Sequence, residues 1–503
     1  MTIKDRPARI THWIDGKPWN GTAERSGEVF DPATGAVSST VDFASPAEVD
    51  EAVASARHAW QGWRDTSLAT RTAVLFAFRE LFSSARSELA AIITSEHGKV
   101  LSDAAGEVQR ALESVDFACG IPHLLKGEFS ENASTGLDVY SVRQPLGVVG
   151  VISPFNFPAM VPLWFVPNAI ACGNAVVLKP SEKDPSSATF IAELWARAGL
   201  PAGVFNVVHG DKVAVDRMLE HPDVKAVSFV GSTPVARYVY RTGTGNGKRV
   251  QALGGAKNHM VVLADADLDL AADAAVSAGF GSAGERCMAV SVVVAVEEIA
   301  DELVAKIAER IPRLRVGDGR RPDSEMGPLI TAAHRDRVAG YLDRGTAEGA
   351  SLVVDGRAHG VEGGRDGFWL GPCLFDRVEP DMSIYTDEIF GPVLSVVRRP
   401  TYASAVELVN ANPYGNGTAI FTNDGGAVRR FRHDVEVGMV GVNVPIPVPV
   451  GYYSFGGWKD SLFGDTHAYG PEGVRFYTRA KVVTSRWPGS SHGGIDLGFP
   501  HNT

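Results

Sequence analysis

Cys287 is a residue whose type and setting suit covalent chemistry. It lies in GSAGERCMAVSVVVAV, between a segment rich in glycine and alanine and a run of valines that predicts a buried strand. This setting predicts a loop at the edge of a sheet. The neighbouring Arg286 favours the thiolate, which is the nucleophilic form of cysteine. The local pattern is also compatible with an inert thiol in the core.

Asn156 could stabilise negative charge that develops in a reaction. It lies between Phe155 and Phe157 in ISPFNFP, where a predicted strand ends at Pro154. An amide held by aromatic side chains at a strand end can donate a hydrogen bond to an oxyanion. Asparagine is also a frequent turn former, so the pattern leaves both interpretations open.

Lys179 and Glu182 follow a second apolar strand, in NAVVLKPSEK. Parallel sheets bind ligands at the carboxyl ends of their strands, so both side chains are expected at a ligand-binding edge. There a lysine can bind ribose or phosphate, while a carboxylate accepts hydrogen bonds from a 2′-hydroxyl and repels a 2′-phosphate. This favours NAD over NADP. The turn formers in PSEKDPSS also allow a plain capped loop.

The segment AVSFVGSTPVARYV predicts a strand, a turn at Gly231 and Ser232, and a helix opened by Thr233 and Pro234. Backbone N–H groups at a helix start suit a pyrophosphate. The segment lacks the G-x-G-x-x-G pattern, and as a motif it is therefore weakly specific.

The elements that position these residues are those of an α/β fold. Residues 46–119 predict helices, the first of them capped by Ser45. From about residue 140, buried strands alternate with helices, which predicts a parallel sheet covered by its crossovers. A second α/β stretch runs from about 260 to 440, and GVRFYTRAKVVTSRWP again predicts a strand. A chain of 503 residues is long enough for two or three compact units.

Composition excludes several classes of function. A formal net charge of −11 makes nucleic acid and anionic membranes poor partners. The four cysteines are far apart, without metal or disulfide spacing, so we expect no metal and a reducing compartment. No apolar run has the length of a membrane span, and the N-terminus has no signal-peptide core. These features predict a cytoplasmic protein.

Five segments in this order resemble the aldehyde dehydrogenase superfamily, and the resemblance spans nearly the whole chain. They are PFNFP, GNAVVLKPSE, FVGST, GERC and DEIFGPV at 387–393. The resemblance implies a Rossmann-like NAD domain, an α/β catalytic domain and a small β oligomerisation arm. It also implies a homodimer or homotetramer. The implied domain boundaries are 1–125 and 146–253 for the NAD-binding domain, 254–470 for the catalytic domain, and 126–145 and 471–495 for the arm.

The resemblance also implies roles for individual residues. Cys287 would be the nucleophile, and the amide of Asn156 with the backbone N–H of Cys287 would form the oxyanion hole. Glu388 and Phe390 would position the nicotinamide ribose. The remaining contacts to NAD are expected from residues on the first sheet: Ser153, Phe155, Lys179, Glu182, Lys183, Gly231, Ser232 and Gly254.

The acyl acceptor is predicted to be coenzyme A. Hydrolytic members of the superfamily carry E-L-G-G-K, whose glutamate activates water. Here the stretch is QALGGAKNH, and alignment on Lys257 puts Leu253 at that position. The AKNH string, the Arg286–Cys287 pair and FYTRAKVVTSRWP resemble the CoA-acylating methylmalonate-semialdehyde dehydrogenases. The alternative is a hydrolytic enzyme that uses another base, such as Glu388; a scaffold that has lost activity is disfavoured by the intact set of site residues.

Substrates of that subfamily, methylmalonate semialdehyde and malonate semialdehyde, carry a carboxylate that needs a cationic partner. Arg110 and Arg286 match the subfamily arginines. Loss of CO2 would give propionyl-CoA or acetyl-CoA, as in valine, inositol or β-alanine breakdown. Glu285 departs from the glutamine common in relatives, and it would weaken the preference for an anion if it faced the pocket.

Overall fold

The structure, a computed structural model, describes residues 9–361 and 366–487. The chain begins with five strands: β1 (Arg9–Ile10), β2 (Trp13–Ile14), β3 (Lys17–Pro18), β4 (Arg25–Asp31) and β5 (Ala36–Phe43). Five helices follow: α1 (Pro46–Asp65), α2 (Leu68–Ser84), α3 (Arg86–His97), α4 (Leu101–Cys119) and α5 (Ile121–Leu124). Ser45 caps α1 as predicted, since the Glu48 carboxylate accepts its backbone N–H in a capping box.

The alternation predicted after residue 140 is confirmed. A hairpin, β6 (Phe129–Ser134) and β7 (Leu137–Pro145), precedes it. The alternating elements are β8 (Val148–Ile152), α6 (Met160–Ala171), β9 (Ala175–Lys179), α7 (Ser186–Arg197), β10 (Phe205–Val207), α8 (Lys212–Glu220), β11 (Val224–Val230), α9 (Thr233–Gly245) and β12 (Arg249–Leu253). Strands β8 and β9 are buried at every residue, as expected for a parallel sheet covered on both faces.

A second α/β unit follows, also as predicted. Its elements are β13 (Asn258–Val262), α10 (Leu268–Phe280), β14 (Val290–Val296), α11 (Glu297–Arg310), α12 (Ala332–Ala347), β15 (Ser351–Val354), β16 (Cys373–Asp376), α13 (Ser383–Thr386), β17 (Val393–Arg399), α14 (Tyr402–Ala411), β18 (Tyr414–Gly415), β19 (Gly417–Phe421), α15 (Gly425–Asp434) and β20 (Met439–Val442). Its sheet has the order β15-β16-β17-β14-β13-β19-β20 and is parallel except at β15.

The chain ends with β21 (Trp458–Lys459), β22 (Leu462–Phe463), α16 (Gly470–Phe476) and β23 (Thr478–Ser485). The first large sheet has the order β22-β12-β11-β8-β9-β10-β2-β3, with its five central strands parallel. The prediction of a strand over the whole of GVRFYTRAKVVTSRWP is wrong for its first four residues, which belong to α16. Pro471 fixes a helical backbone there, and Gly473 packs closely on Asn168.

Strand β23 pairs antiparallel with β7 along eight residues and completes the small sheet β23-β7-β6. The predicted domain boundaries stay predictions, and residues 1–8, 362–365 and 488–495 of those segments lie outside the described residues. Strand β22 falls within the predicted catalytic domain and pairs with β12 of the first sheet. Within the described ranges, every helix is too short or too polar to span a bilayer.

Candidate active site

Cys287 follows a strained left-handed turn at the end of α10. Ser282 and Ala283 have backbone φ angles of 53° and 52°, which residues other than glycine rarely adopt. Gly284 continues the turn at φ 73°. At Gly284 a Cβ would lie 2.2 Å from the carbonyl oxygen of Gly391, so only glycine fits. The turn starts in the core of the second sheet and carries Cys287 and Met288 onto the core of the first.

Two asparagines hold the cysteine loop from the second sheet. The side-chain amides of Asn258 and Asn416 donate to the carbonyl oxygen of Cys287 at 2.9 and 3.2 Å, and Asn258 also donates to Ala289. Asn258 starts β13 and Asn416 directly precedes the neighbouring parallel strand β19. Sequence analysis did not single out either residue, although Asn258 stands in the AKNH string. The loop is thereby fixed through its backbone, which leaves the sulfur free.

The Cys287 thiol lies at the boundary between two cavities and is partly buried. Its pKa is raised to about 12: burial is the largest cause and the Glu388 carboxylate the second, while Arg286 lowers the pKa by the smallest contribution. The expectation that Arg286 favours the thiolate is correct in direction, but burial outweighs it. The resting side chain is therefore a neutral thiol.

Asn156 lies after β8 and is buried, and its backbone carbonyl accepts a hydrogen bond from the Lys99 amine at 2.6 Å. Within the described residues its side-chain amide makes no hydrogen bond, so its donors remain available to a ligand. Lys99 also pairs with Glu107 at 2.9 Å, and both side chains are fully buried. Glu107 in turn accepts the backbone N–H groups of Ala159 and Met160 at the start of α6. This support was missed from the sequence.

The carboxyl edge of the first sheet collects the predicted cofactor residues. The backbone N–H of Ser153 donates to the carbonyl of Lys179, so the ends of β8 and β9 are aligned. The Lys179 amine lies 3.0 Å from the Glu182 carboxylate, whose pKa is lowered by Lys179 against the opposing effect of burial. Lys183 lies over the Phe155 ring at 4.8 Å.

Phe155 and Phe390 come from different sheets and meet edge to face, with 5.8 Å between ring centroids. Phe390 has a left-handed backbone, φ 57°, and its carbonyl lies 2.7 Å from the His334 imidazole. The edge of the first sheet and the DEIFGPV loop therefore lie together, and His334, which was not expected from the sequence, lies beside them.

Gly231 and Ser232 connect β11 to α9. Ser232 is exposed at the N-cap and its hydroxyl makes no capping bond, so the helix start presents free donors. The backbone N–H of Gly231 donates to Leu253, and that of Gly254 donates to Ser461 at 2.9 Å. Gly254 thus lies beside the helix start, but its N–H is already used within the protein.

Glu388 lies against the loop after β12. Its carboxylate accepts the backbone N–H of Ala256 at 2.9 Å, and a Cβ at Gly255 would lie 2.3 Å from it, which explains the glycine. The Lys257 amine anchors the Glu388 loop by donating to the carbonyls of Ile384 and Asp387, each at 2.7 Å. Burial raises the pKa of Glu388.

Arg110 and Arg286 line one cavity of about 330 Å³ that ends at Cys287. Asp103, Glu107 and Arg110 are spaced four and three residues apart on α4, so one face of that helix forms the polar wall. The opposite wall is largely apolar, with Phe157, Met160, Trp164, Met288, Ile446, Val448 and Phe455. Arg110 is held by Glu113 and by the carbonyls of Val448 and Pro449.

Glu285 points away from this cavity and is fully buried. Its carboxyl lies 3.4 Å from His334 and 4.0 Å from His97, and it accepts the backbone N–H of Ile330. Burial raises its pKa to about 8. Leu253, at the position of the hydrolytic glutamate, is buried at the end of β12 and pairs with Val230. Neither residue places a negative charge in the cavity.

The profile of the aldehyde dehydrogenase family matches residues 19–483, and the chain belongs to that family. A malonate-semialdehyde dehydrogenase from Pseudomonas aeruginosa is 56% identical over 478 residues, which cover 95% of this chain and 96% of that protein. The crystal structure of a methylmalonate-semialdehyde dehydrogenase from Oceanimonas doudoroffii is 52% identical, with a TM-score of 0.95 and coverage of 97% and 99%.

A third similar protein, from Sinorhizobium meliloti 1021, was crystallised with NAD and is described as a methylmalonate-semialdehyde dehydrogenase. It is 52% identical, with a TM-score of 0.95 and coverage of 96% of this chain and 99% of that chain. The predicted α/β fold of the aldehyde dehydrogenases and the predicted enzyme class are thereby confirmed.

Proposed function

We propose that this chain catalyses the NAD-dependent, CoA-acylating oxidation of malonate semialdehyde and methylmalonate semialdehyde, with loss of CO2, to acetyl-CoA and propionyl-CoA. One observation carries the substrate assignment: the cavity that Cys287 lines is also lined by two arginines, Arg110 and Arg286. An anion that enters a largely apolar cavity needs such partners. The names of the relatives from Pseudomonas aeruginosa and Oceanimonas doudoroffii support the same substrates.

The residues of the site supply covalent catalysis. The Cys287 sulfur attacks the aldehyde carbon after loss of its proton, and the amide of Asn156 and the backbone N–H of Cys287 donate to the oxygen that becomes negative. The carbonyl of Cys287 is held by Asn258 and Asn416, so the backbone N–H and the sulfur keep a fixed relation. Because burial raises the thiol pKa, removal of that proton is a demanding step at neutral pH.

The edge of the first sheet fits NAD. Glu182 is ionised because its pKa is lowered, so it can accept from ribose hydroxyls beside the Lys179 amine. Ser232 and the first N–H groups of α9 can hold a pyrophosphate. Phe155, Lys183, Glu388 and Phe390 flank the same edge. When bound, NAD accepts the hydride that leaves the thiohemiacetal on Cys287, and this yields the thioester.

Coenzyme A is proposed as the acceptor because a buried leucine stands where hydrolytic members have a glutamate. The β-carboxylate of the thioester leaves as CO2, and the resulting carbanion takes a proton. The CoA thiolate then attacks the acyl carbon, and the Cys287 thiolate leaves. A CoA thiol needs less activation than water because its pKa lies much closer to neutrality.

Hydrolysis is a second candidate, favoured by one observation. Glu388 is a carboxylate whose pKa is raised by burial and whose charge acts on the Cys287 thiol, so it is suited to accept a proton from water. NADH formation from malonate semialdehyde, with and without CoA, tests the choice. We expect turnover to depend on CoA and mass analysis to find acetyl-CoA. Equal turnover without CoA, with free acid as product, would reject the acylating assignment.

We propose that the arm joins copies of this chain into a homodimer or homotetramer. Phe129 on β6 is 64% exposed and pairs with Tyr140 of β7, and the exposed Val142 lies on the same face two residues further on. An apolar sheet face of this kind is typical of an interface. Light scattering of the purified protein gives its oligomeric state directly.

The four unpaired cysteines fit a reducing compartment such as the cytoplasm.

A further inference from the structure

Arg286 is held by a carboxylate on α4, the helix that forms the polar wall of its cavity. Its guanidinium donates to Asp103 Oδ1 at 2.7 Å, and both side chains are mostly buried. Among the described residues this is the only hydrogen bond of the Arg286 side chain. Asp103 lies in the first turn of α4, on the same face as Arg110. The pair therefore links the cysteine loop of the second sheet to the helix that carries the other proposed substrate arginine.

The Asp103–Arg286 pair stands between two cavities. Both residues line the cavity that ends at Cys287, and both also line a second cavity of about 610 Å³ bounded by α10 and the segments near Arg310 and Met326. A free Arg286 side chain could turn into either space. In the observed orientation the side chain lies at the border of the two cavities.

Gly281, which lines the second cavity, leaves space for the guanidinium in the observed orientation. A Cβ at Gly281 would lie 2.6 Å from Nη1 and 2.8 Å from Cζ of Arg286. The backbone there has φ −53° and ψ 135°, which any residue can adopt. Glycine thus leaves room for the guanidinium where a Cβ would displace it, and the turn itself does not call for glycine. Two residues from different elements, Asp103 and Gly281, fix the same side chain.

We propose that Asp103 is a positioning residue that, with Gly281, holds Arg286 ready to bind the carboxylate of the substrate; this rests on the proposed function. A guanidinium has five N–H donors in a rigid fork, and Asp103 uses one, so the others stay available to a carboxylate. Holding a long arginine side chain in place before the substrate arrives removes an entropic cost from binding. Asp103 thereby sets the preference for carboxylated over plain aldehydes.

Two rival effects of Asp103 predict different results. If its charge mainly repelled the substrate carboxylate, removing it would improve the use of malonate semialdehyde. If it mainly stabilised the start of α4 through the helix dipole, removing it would affect every aldehyde alike. The proposal requires a loss that is confined to carboxylated substrates.

The test compares kcat/KM for malonate semialdehyde and for propanal, which lacks the carboxylate, in the full-length enzyme with NAD and CoA. For Asp103→Ala we expect the ratio of the two values to fall about ten-fold, mostly through KM, as for loss of one charged hydrogen bond. Asp103→Asn keeps a hydrogen-bond acceptor, so the ratio should fall less in this variant. Gly281→Ala, which leaves Asp103 intact but displaces the guanidinium, should lower the ratio as well. Asp116→Ala removes another acid–arginine pair of α4, that with Arg79, and should leave the ratio unchanged.

Arg286→Gln separates this inference from the proposed function. If Arg286→Gln leaves the ratio unchanged, the proposed role of Arg286 is wrong. If Arg286→Gln lowers the ratio while Asp103→Ala leaves it unchanged or raises it, only the positioning role of Asp103 is overturned. An equal loss for both aldehydes in Asp103→Ala also overturns it. In the double variant Asp103→Ala/Arg286→Gln, we expect a ratio no lower than in Arg286→Gln alone, because both changes remove the same interaction.

Discussion

The fully buried Lys99 amine donates a hydrogen bond to the backbone carbonyl of Asn156 at 2.6 Å. Lys99 also pairs with Glu107 and lies 4.4 Å from the centre of the Phe157 ring. A single buried cation thus supports the loop that carries the proposed oxyanion donor. Because that cation is balanced by one carboxylate, the stability of the fold and the geometry of the loop depend on the same ion pair.

Glu107→Gln is expected to lower the free energy of unfolding by about 3 kcal/mol, because it leaves the buried Lys99 charge without a counterion. The value of kcat should fall as well, since the Asn156 loop loses its support. Urea denaturation and steady-state kinetics measure both effects. Asp116→Asn, which breaks an exposed pair on the same helix, is the matched control and should change neither. Equal stability of the two variants would contradict the prediction.

The raised pKa of Cys287 predicts slow alkylation of the resting enzyme. Free cysteine has a pKa of about 8.5, whereas burial keeps Cys287 protonated at neutral pH. Its rate with iodoacetamide at pH 7 should be well below that of free cysteine and should still be rising at pH 10. The signal is isolated by subtracting the rate of Cys287→Ser, in which the three buried cysteines remain.

Glu388→Gln should speed this alkylation, because the Glu388 carboxylate is the second cause of the raised thiol pKa. The gain is expected to be partial, since burial is the larger cause. Glu285→Gln is the control: the same chemical change two residues from the sulfur, at a carboxyl that is already protonated at pH 7. If Cys287 of the unmodified enzyme reacted with iodoacetamide as fast as free cysteine does, the assignment of a neutral thiol would be refuted.

The sequence predicted the elements and the loop of Cys287 because both depend on local patterns. Buried strands, the Ser45 cap and the residues at strand ends are set by neighbours in the chain. The supports of the site could not be predicted in this way. Lys99 contacts Asn156 across 57 residues, and Asn416 contacts the Cys287 carbonyl across 129. A lysine before a helix has the appearance of a surface residue until the fold encloses it.

The orientation of the Glu285 side chain could likewise not be predicted from the sequence. It depends on the left-handed turn at Ser282 and Ala283, two residues with no intrinsic preference for that backbone. The turn directs Glu285 into the core, beside His97 and His334, and leaves Arg286 at the cavity. The expectation that Glu285 could weaken anion binding therefore has no support in its position.

Glu285 predicts a specific pH dependence of stability. Burial raises its pKa from 4.5 to about 8, so between these values the folded state holds a proton that the unfolded state has lost. The contribution of Glu285 to the free energy of unfolding must therefore fall as pH rises through this window. Glu285→Gln keeps a neutral side chain at every pH. Its stability relative to the unmodified protein should increase from pH 5 to pH 8.5, as measured by denaturant titration. A constant difference would show that Glu285 is ionised in the fold.

Lys257 and Lys248 offer a matched pair for testing the anchor of the Glu388 loop. Each buried amine donates to two backbone carbonyls, and burial lowers the pKa of each to about 8. Replacement by methionine removes two buried hydrogen bonds to backbone carbonyls and should cost each variant about 1–3 kcal/mol of stability. Of these two lysines, only Lys257 contacts the loop of Glu388 and Phe390, so Lys257→Met should raise KM for NAD several-fold and Lys248→Met should not. The same KM in both variants, at similar losses of stability, would show that the loop keeps its place without Lys257.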